Sequence, residues 1–167
     1  MNLRVKAFAE LTAEELFEIY KLRSAIFVVE QQCVYQDIDD SDKSALHLWL
    51  EKDGEILSYL RVLPPDIVRK EAAIGRVLSV VRRKGYATML LDAALSCIRE
   101  RFGDVSVYLE AQTYAKSLYE KLGFRQVSEE FLEDGIPHVK MLLKAEACSN
   151  RGNIHFDETY IFRLKKK

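Results

Sequence analysis

The stretch Arg82-Arg83-Lys84-Gly85-Tyr86-Ala87 lies between an apolar run, Ile74 to Val81, and an amphipathic one, Thr88 to Ile98. The pattern predicts a strand, a tight basic turn holding a glycine, and a helix. A helix start leaves several backbone N–H groups without a partner in the chain, and the helix dipole makes that end partly positive. Such an end suits a phosphate or pyrophosphate. Gly85 and Ala87 are small, so a ligand can come close to the backbone. Arg82, Arg83 and Lys84 add charge that suits a polyphosphate. An ordinary strand-to-helix turn with solvated charges would look the same in isolation, so the choice falls to the rest of the chain.

Outward from that turn, the chain alternates between two periods. Leu3 to Phe8 reads as a strand. Thr12 and Glu15 form a capping box, and Leu16, Ile19, Tyr20 and Arg23 follow at helical spacing to about Ile26. Phe27 to Tyr35 is apolar but irregular, and an acidic stretch, Asp37 to Asp42, follows. Leu46 to Lys52 and Glu55 to Leu63 read as strands joined by Asp53-Gly54, a hairpin signal. Pro64-Pro65 ends the second. The helix after the basic turn carries Met89, Leu90, Ala93, Ala94, Cys97 and Ile98 on one face and ends near Phe102-Gly103. Val105 to Ala111 is a strand, Ala115 to Leu122 a helix, and Phe124 to Leu132 a strand. Asp134-Gly135 makes a turn, and His138 to Leu143 is the strand that returns. This order predicts an α/β layer fold with a mixed sheet.

A chain of 167 residues, 49% hydrophobic and 31% charged, is expected to form one soluble domain. The division expected is a domain over residues 1–145 and an extension over 146–167. Ile154 to Leu164 alternates enough for an extra strand, which suggests a homodimer through a shared edge, and Lys165 to Lys167 reads as a solvated tail. A net charge of −1 argues against nucleic acid as a partner. No run reaches the roughly 20 apolar residues of a membrane span, and no signal-peptide core is present, so the cytoplasm is the expected location. Cys33, Cys97 and Cys148 are too few and too scattered for a disulfide framework or a zinc site. Cys97 is expected in the core. Cys33 reads as a buried filler before it reads as a nucleophile.

Four segments together resemble the GNAT superfamily of acetyl-CoA-dependent N-acetyltransferases. Arg82, Gly85 and Ala87 fit that family's pyrophosphate motif. Ala115-Lys116-Ser117-Leu118-Tyr119-Glu120-Lys121-Leu122-Gly123-Phe124 is similar to its "A-x-x-L-Y-x-x-x-G-F" helix. Leu22 to Gln31 and Glu133 to His138 look like its ElaA-like branch. The resemblance covers roughly residues 1 to 145. It implies a single α/β domain whose mixed, mostly antiparallel sheet has flanking helices and a splayed central strand pair. It further implies acetyl-CoA as co-substrate, no metal, and direct transfer to a primary amine on a small molecule or peptide. The alternative is a non-catalytic module of the same fold that binds coenzyme A or acyl-CoA. A dinucleotide-binding fold is disfavoured because no Gly-x-Gly-x-x-Gly occurs.

By resemblance, coenzyme A lies along Leu78, Ser79 and Val80 and at Arg82, Arg83, Lys84, Gly85, Tyr86, Ala87 and Thr88. Gln112 stands where many members have an asparagine that binds the pantetheine. Tyr119 at helical spacing beside Leu118 and Leu122 reads as a packing aromatic. The resemblance makes it the general acid that faces the coenzyme sulfur. Amine acetylation also needs a base. His138 has the right chemistry, though it could instead brace its hairpin. Glu110 is the next candidate, since a carboxylate in a central strand is costly unless used or paired. His47 is expected to pair within the sheet, and Glu30 to anchor a loop. The acidic stretch Asp37 to Asp42 reads as a solvated loop, with attraction of a cationic amine as its functional alternative.

Overall fold

A computed structural model describes residues 1–145. The expected strand at Ile154 to Leu164, the tail Lys165 to Lys167 and Cys148 lie outside the described residues, as does the dimer contact built on that strand. The described chain is a single α/β domain with the GNAT arrangement expected. Its strands are β1 (Asn2–Ala7), β2 (Leu46–Lys52), β3 (Glu55–Leu63), β4 (Ala72–Ser79), β5 (Val107–Gln112), β6 (Arg125–Gln126), β7 (Phe131–Glu133) and β8 (Ile136–Leu143). Its helices are α1 (Ala13–Arg23), α2 (Tyr86–Phe102) and α3 (Lys116–Lys121).

The sheet runs β1-β2-β3-β4-β5-β8-β6, with β7 also on β8. Every pairing is antiparallel except β4 with β5, which is parallel. Period two sorts the strand residues between the two faces. On one face Leu46, Leu48, Leu50, Leu60, Val62 and Ile74 pack with Leu90, Leu91, Ala94, Leu95 and Ile98 of α2. On the other, Trp49, Tyr59 and Leu78 pack with Ile19 of α1 and with Phe27.

Local chemistry explains the boundaries. Thr12 Oγ1 accepts from the Glu15 N–H at 3.1 Å, and Glu15 Oε2 accepts from the Thr12 N–H at 2.9 Å, so the expected capping box starts α1. Beyond Arg23 the helix does not stop. It widens into a π-helical stretch, Ser24–Glu30, which carries the helix past its expected end near Ile26 into the segment expected to be irregular. Such wide turns are frequent at functional sites. Asp53-Gly54 and Asp134-Gly135 each hold two consecutive positive φ values, the geometry of tight hairpin turns.

The expected strand Phe124 to Leu132 is two strands. β6 and Val127 follow one register against β8, and β7 follows another shifted by two residues. The residues between them bulge outward. Ser128 Oγ replaces the lost ladder partner by accepting from the Lys140 N–H at 2.9 Å. The strand expected over Ile74 to Val81 instead occupies Ala72–Ser79 and carries a bulge. Its register against β3 slips between Tyr59 and Arg61, where Arg76 takes φ +54.

Candidate active site

β4 and β5 are joined by two residue pairs only, Ala72↔Val107 and Ala73↔Tyr108. Beyond them the bulge at Arg76 turns β4 away. The gap opens into a cavity of about 970 Å³ lined from both strands, from the start of α2, from α3 and from the β7–β8 hairpin. The splayed pair is therefore present where expected.

One end of the cavity is the basic turn. Gly85 caps α2 with φ +77, so the helix begins at Tyr86, earlier than the expected Thr88. The first intrahelical bond is Met89 N–H to Gly85 O at 3.0 Å. The N–H groups of Tyr86, Ala87 and Thr88 thus have no acceptor within the helix, and all three residues line the cavity with Arg82, Arg83 and Gly85. Lys84 is exposed beside them. Arg82 forms an ion pair with Glu30 at the end of the π-helical stretch, which gives Glu30 its expected loop-anchoring contact.

Along β4 the backbone groups alternate. The Val80 N–H donates to Leu57 O at 2.9 Å, and Leu78 O accepts from the Ser58 hydroxyl at 2.7 Å. Of Leu78, Ser79 and Val80, it is Ser79 whose backbone turns to the gap.

Tyr119 of α3 lines the cavity. It is 7% exposed, meets the Phe124 ring edge-on at 6.2 Å, and its hydroxyl has no hydrogen-bond partner among the described residues. Burial, with Tyr114 adding to it, pushes its hydroxyl above the ordinary tyrosine value, so it holds its proton at neutrality. Gln112, at the end of β5, donates from Nε2 to Gln31 Oε1 at 3.2 Å, and both side chains line the cavity.

His138 faces Gln112 across the β5–β8 ladder. It is 9% exposed and stacks on Phe131. Its Nδ1 lies 2.7 Å from Ile136 O. A carbonyl can only accept, so Nδ1 carries the proton and a neutral ring leaves Nε2 with a free lone pair. That nitrogen has no hydrogen-bond partner among the described residues, and Glu133 Oε2 lies 3.8 Å away. Hairpin bracing and availability as a base are thus both met, one on each nitrogen.

Glu110 differs from expectation. It is exposed, and it accepts a hydrogen bond from the Tyr108 hydroxyl at 2.6 Å, so it carries no burial cost. It does line the cavity. Cys33 is buried against the Asp134 carbonyl, with Sγ to O of 3.8 Å. Burial, helped by Asp134 and Glu133, pushes its thiol up, which suits the filler role better than a nucleophile. Cys97 is half-buried and packs against the core.

The acidic stretch is not a solvated loop. Asp37 and Asp42 are 4% and 1% exposed. Arg23, fully buried at the end of α1, reaches Asp37 at 3.0 Å and Asp42 at 2.7 Å. Arg61 binds Asp39 and Asp42 at 2.7 and 2.8 Å. Arg76 binds Asp37 at 2.7 Å and Asp39 at 3.4 Å. Tyr35 donates to Asp37 at 2.9 Å. Three cations meet these three anions, and the remaining, exposed Asp40 pairs with Lys43 at 2.7 Å, so no aspartate of the stretch lacks a cation. His47 belongs to the same structure: Nε2 donates to Asp42 O at 2.9 Å, and Nδ1 accepts from the Tyr59 hydroxyl at 2.8 Å. That is the pairing expected of it. This network pins the bulge that opens the cavity, and sequence reasoning missed it. The signal was there in Arg61, set inside the apolar run Tyr59 to Leu63, where an arginine needs a buried acid.

Comparison with known proteins agrees with this geometry. The model of an acetyltransferase (GNAT) domain matches residues 9–145. A UPF0039 protein of Schizosaccharomyces pombe is 38% identical over 143 residues, covering 83% of this chain and 94% of its own length. Protein ElaA of Escherichia coli is 36% identical over 137 residues, covering 80% and 90%. The crystal structure of that ElaA superposes with a TM-score of 0.81 over 86% of this chain and 99% of its own. An acyl-CoA N-acyltransferase from Pseudomonas aeruginosa superposes with a TM-score of 0.81 at 38% identity, over 85% and 99%. The chain belongs to the GNAT acetyltransferase family, in its ElaA-like branch, and so to the acyltransferases that draw on coenzyme A thioesters.

Proposed function

We propose that this protein is an N-acetyltransferase that moves an acetyl group from acetyl-CoA directly to a primary amine. The observation that carries this reading is one cavity that holds three things at once. They are the unclaimed N–H groups of α2 among its cations, the unpartnered hydroxyl of Tyr119, and the free Nε2 of His138. Acetyl-CoA fits these features: its polyphosphate suits the turn from Arg82 to Thr88, and its extended arm suits the open edge of β4 at Ser79. The thioester supplies an activated acetyl carbon.

His138 takes the proton from the amine at Nε2, while its Nδ1–H stays on Ile136 O. Glu133 steadies the imidazolium that results. The new carbon–nitrogen bond forms as the carbon–sulfur bond breaks, and Tyr119 gives its proton to the departing sulfur. His138 is the better base than Glu110 because it lines the cavity with a free Nε2 lone pair, whereas Glu110 is exposed and already engaged by Tyr108. Catalysis otherwise rests on placing amine and thioester together.

Tyr119→Phe tests the assignment, since the ring packing stays and only the proton donor goes. With acetyl-CoA and an accepted amine, thiol release should fall roughly 10²- to 10⁴-fold in kcat. Stabilisation by acetyl-CoA in a melting experiment should stay close to that of the parent. Unchanged kcat in a folded variant would remove Tyr119 from the chemistry.

A further inference from the structure

The two ends of the cavity differ in charge. Arg82, Arg83 and Lys84 mark the α2 end. The opposite wall, made by β5 and the β7–β8 hairpin, presents Glu110, Glu133 and Asp134. The cations closest to that wall are spoken for. Arg76 is bound by Asp37 and Asp39. Arg69 is paired with Glu71 at 3.4 Å and lies over the Tyr108 ring. Lys140 stands across from Glu110 in the ladder, but its Nζ lies over the Phe131 ring, 5.6 Å from the centroid, and makes no ion pair with Glu110. Three carboxylates against one lysine leave the wall negative. Two side chains that line the same space carry atoms with no hydrogen-bond partner among the described residues: the hydroxyl of Tyr119, which is 7% exposed, and Nε2 of His138, whose side chain is 11% exposed. Both await a ligand atom.

We propose that the acceptor is a small linear diamine, with its reacting nitrogen at His138 Nε2 and its second, protonated nitrogen at Glu110. This rests on reading the cavity as that of an amine acetyltransferase. Spacing sets the length. His138 is opposite Gln112, and Glu110 is two residues earlier on the same face of β5. Two residues span about 7 Å of strand, the reach of a diamine with about four or five methylene groups. Glu110, already oriented by Tyr108, binds the far cation and keeps it away from the thioester, so the diamine is acetylated at one end.

The test compares three acceptors of equal chain length with acetyl-CoA and the whole protein: tetramethylene diamine, butylamine and gamma-aminobutyrate. The diamine should show kcat/KM about tenfold or more above butylamine, the order of one charge-assisted contact. Gamma-aminobutyrate, with an anion at the far end, should be the poorest. In Glu110→Gln the diamine-to-butylamine ratio should drop toward one, whatever happens to the absolute rates, and a melting curve checks that the variant is folded. Equal kcat/KM for all three acceptors would overturn the diamine and leave acetyl transfer standing. A ratio that Glu110→Gln does not move would overturn the placement at Glu110. No thiol release with any amine, in protein that acetyl-CoA stabilises, would overturn both this inference and the reading beneath it.

Discussion

Two acidic regions of this molecule can be set side by side. Asp37, Asp39 and Asp42 are close neighbours in the chain, and Arg23 from α1, Arg61 from β3 and Arg76 from β4 close around them. Glu110, Glu133 and Asp134 come from β5 and one hairpin, and no arginine pairs with them among the described residues. The first region reads in the sequence as a solvated loop, with attraction of a cationic amine as the alternative, and is electrically closed in the fold. The second is scattered in the sequence and open in the fold. A run of like charge says little about the field it produces until the counter-charges are placed.

The same chemical change, carboxylate to amide, should have opposite consequences in the two regions. Asp42→Asn takes away the anion shared by Arg23 and Arg61, both buried. Breaking a buried pair leaves charge uncompensated, so a loss of about 3–5 kcal/mol is expected in denaturant unfolding. A loss under about 1 kcal/mol, the scale of an exposed pair, would mean that water reaches the arginines and the region is not closed.

Acid should destabilise the first region. Burial holds the His47 imidazole below its usual 6.5. Burial alone would raise the Asp39 and Asp42 carboxyls. Arg61 with Arg76 at Asp39, and Arg23 with Arg61 at Asp42, outweigh it and keep both below 3.8. All three groups bind a proton more readily in the unfolded chain, so stability falls as pH falls. The decline begins below pH 6.5 with His47 and steepens below 3.8 with the aspartates. Melting temperatures across that range provide the check. A curve flat from neutrality to about pH 5 would show that His47 takes up protons equally well when folded.

Glu133→Gln, in the open region, should shift stability by no more than about 0.5 kcal/mol, since the side chain is half exposed. It should slow turnover by about fivefold or less, in keeping with an exposed pair worth up to ~1 kcal/mol. A turnover identical to the parent's would separate Glu133 from the base.

Much of the frame was legible because local rules agree with the fold. The capping box at Thr12 and Glu15, the Asp-Gly turns and the alternation through β2 and β3 each state their structure within a few residues. The turn at Gly85 could be read for the same reason. What could not be read was produced by distance. The strand expected over Phe124 to Leu132 breaks because β8 decides its register, and Ser128 completes the ladder from a residue with no strand signal. The arginine network joins residues up to 39 positions apart, so no window of sequence contains it. The tautomer of His138 depends on one backbone carbonyl, which the turn before it places.

The seam between β4 and β5 has a further consequence. Two residue pairs are the whole backbone ladder between the half-sheet β1–β4 and the half-sheet β5–β8. Elsewhere the halves are held by side-chain packing, chiefly under α2. A protein so divided can open locally along that line at a cost well below that of global unfolding. In the proposed complex, the extended arm of coenzyme A lies in the seam and pairs with Ser79 as a neighbouring strand would. The co-substrate then completes the sheet. Hydrogen exchange would record this as slower exchange at the Ser79 amide when acetyl-CoA is present, and as tighter coupling between amides on either side of the divide. The reactant doubles as the molecule's missing strand.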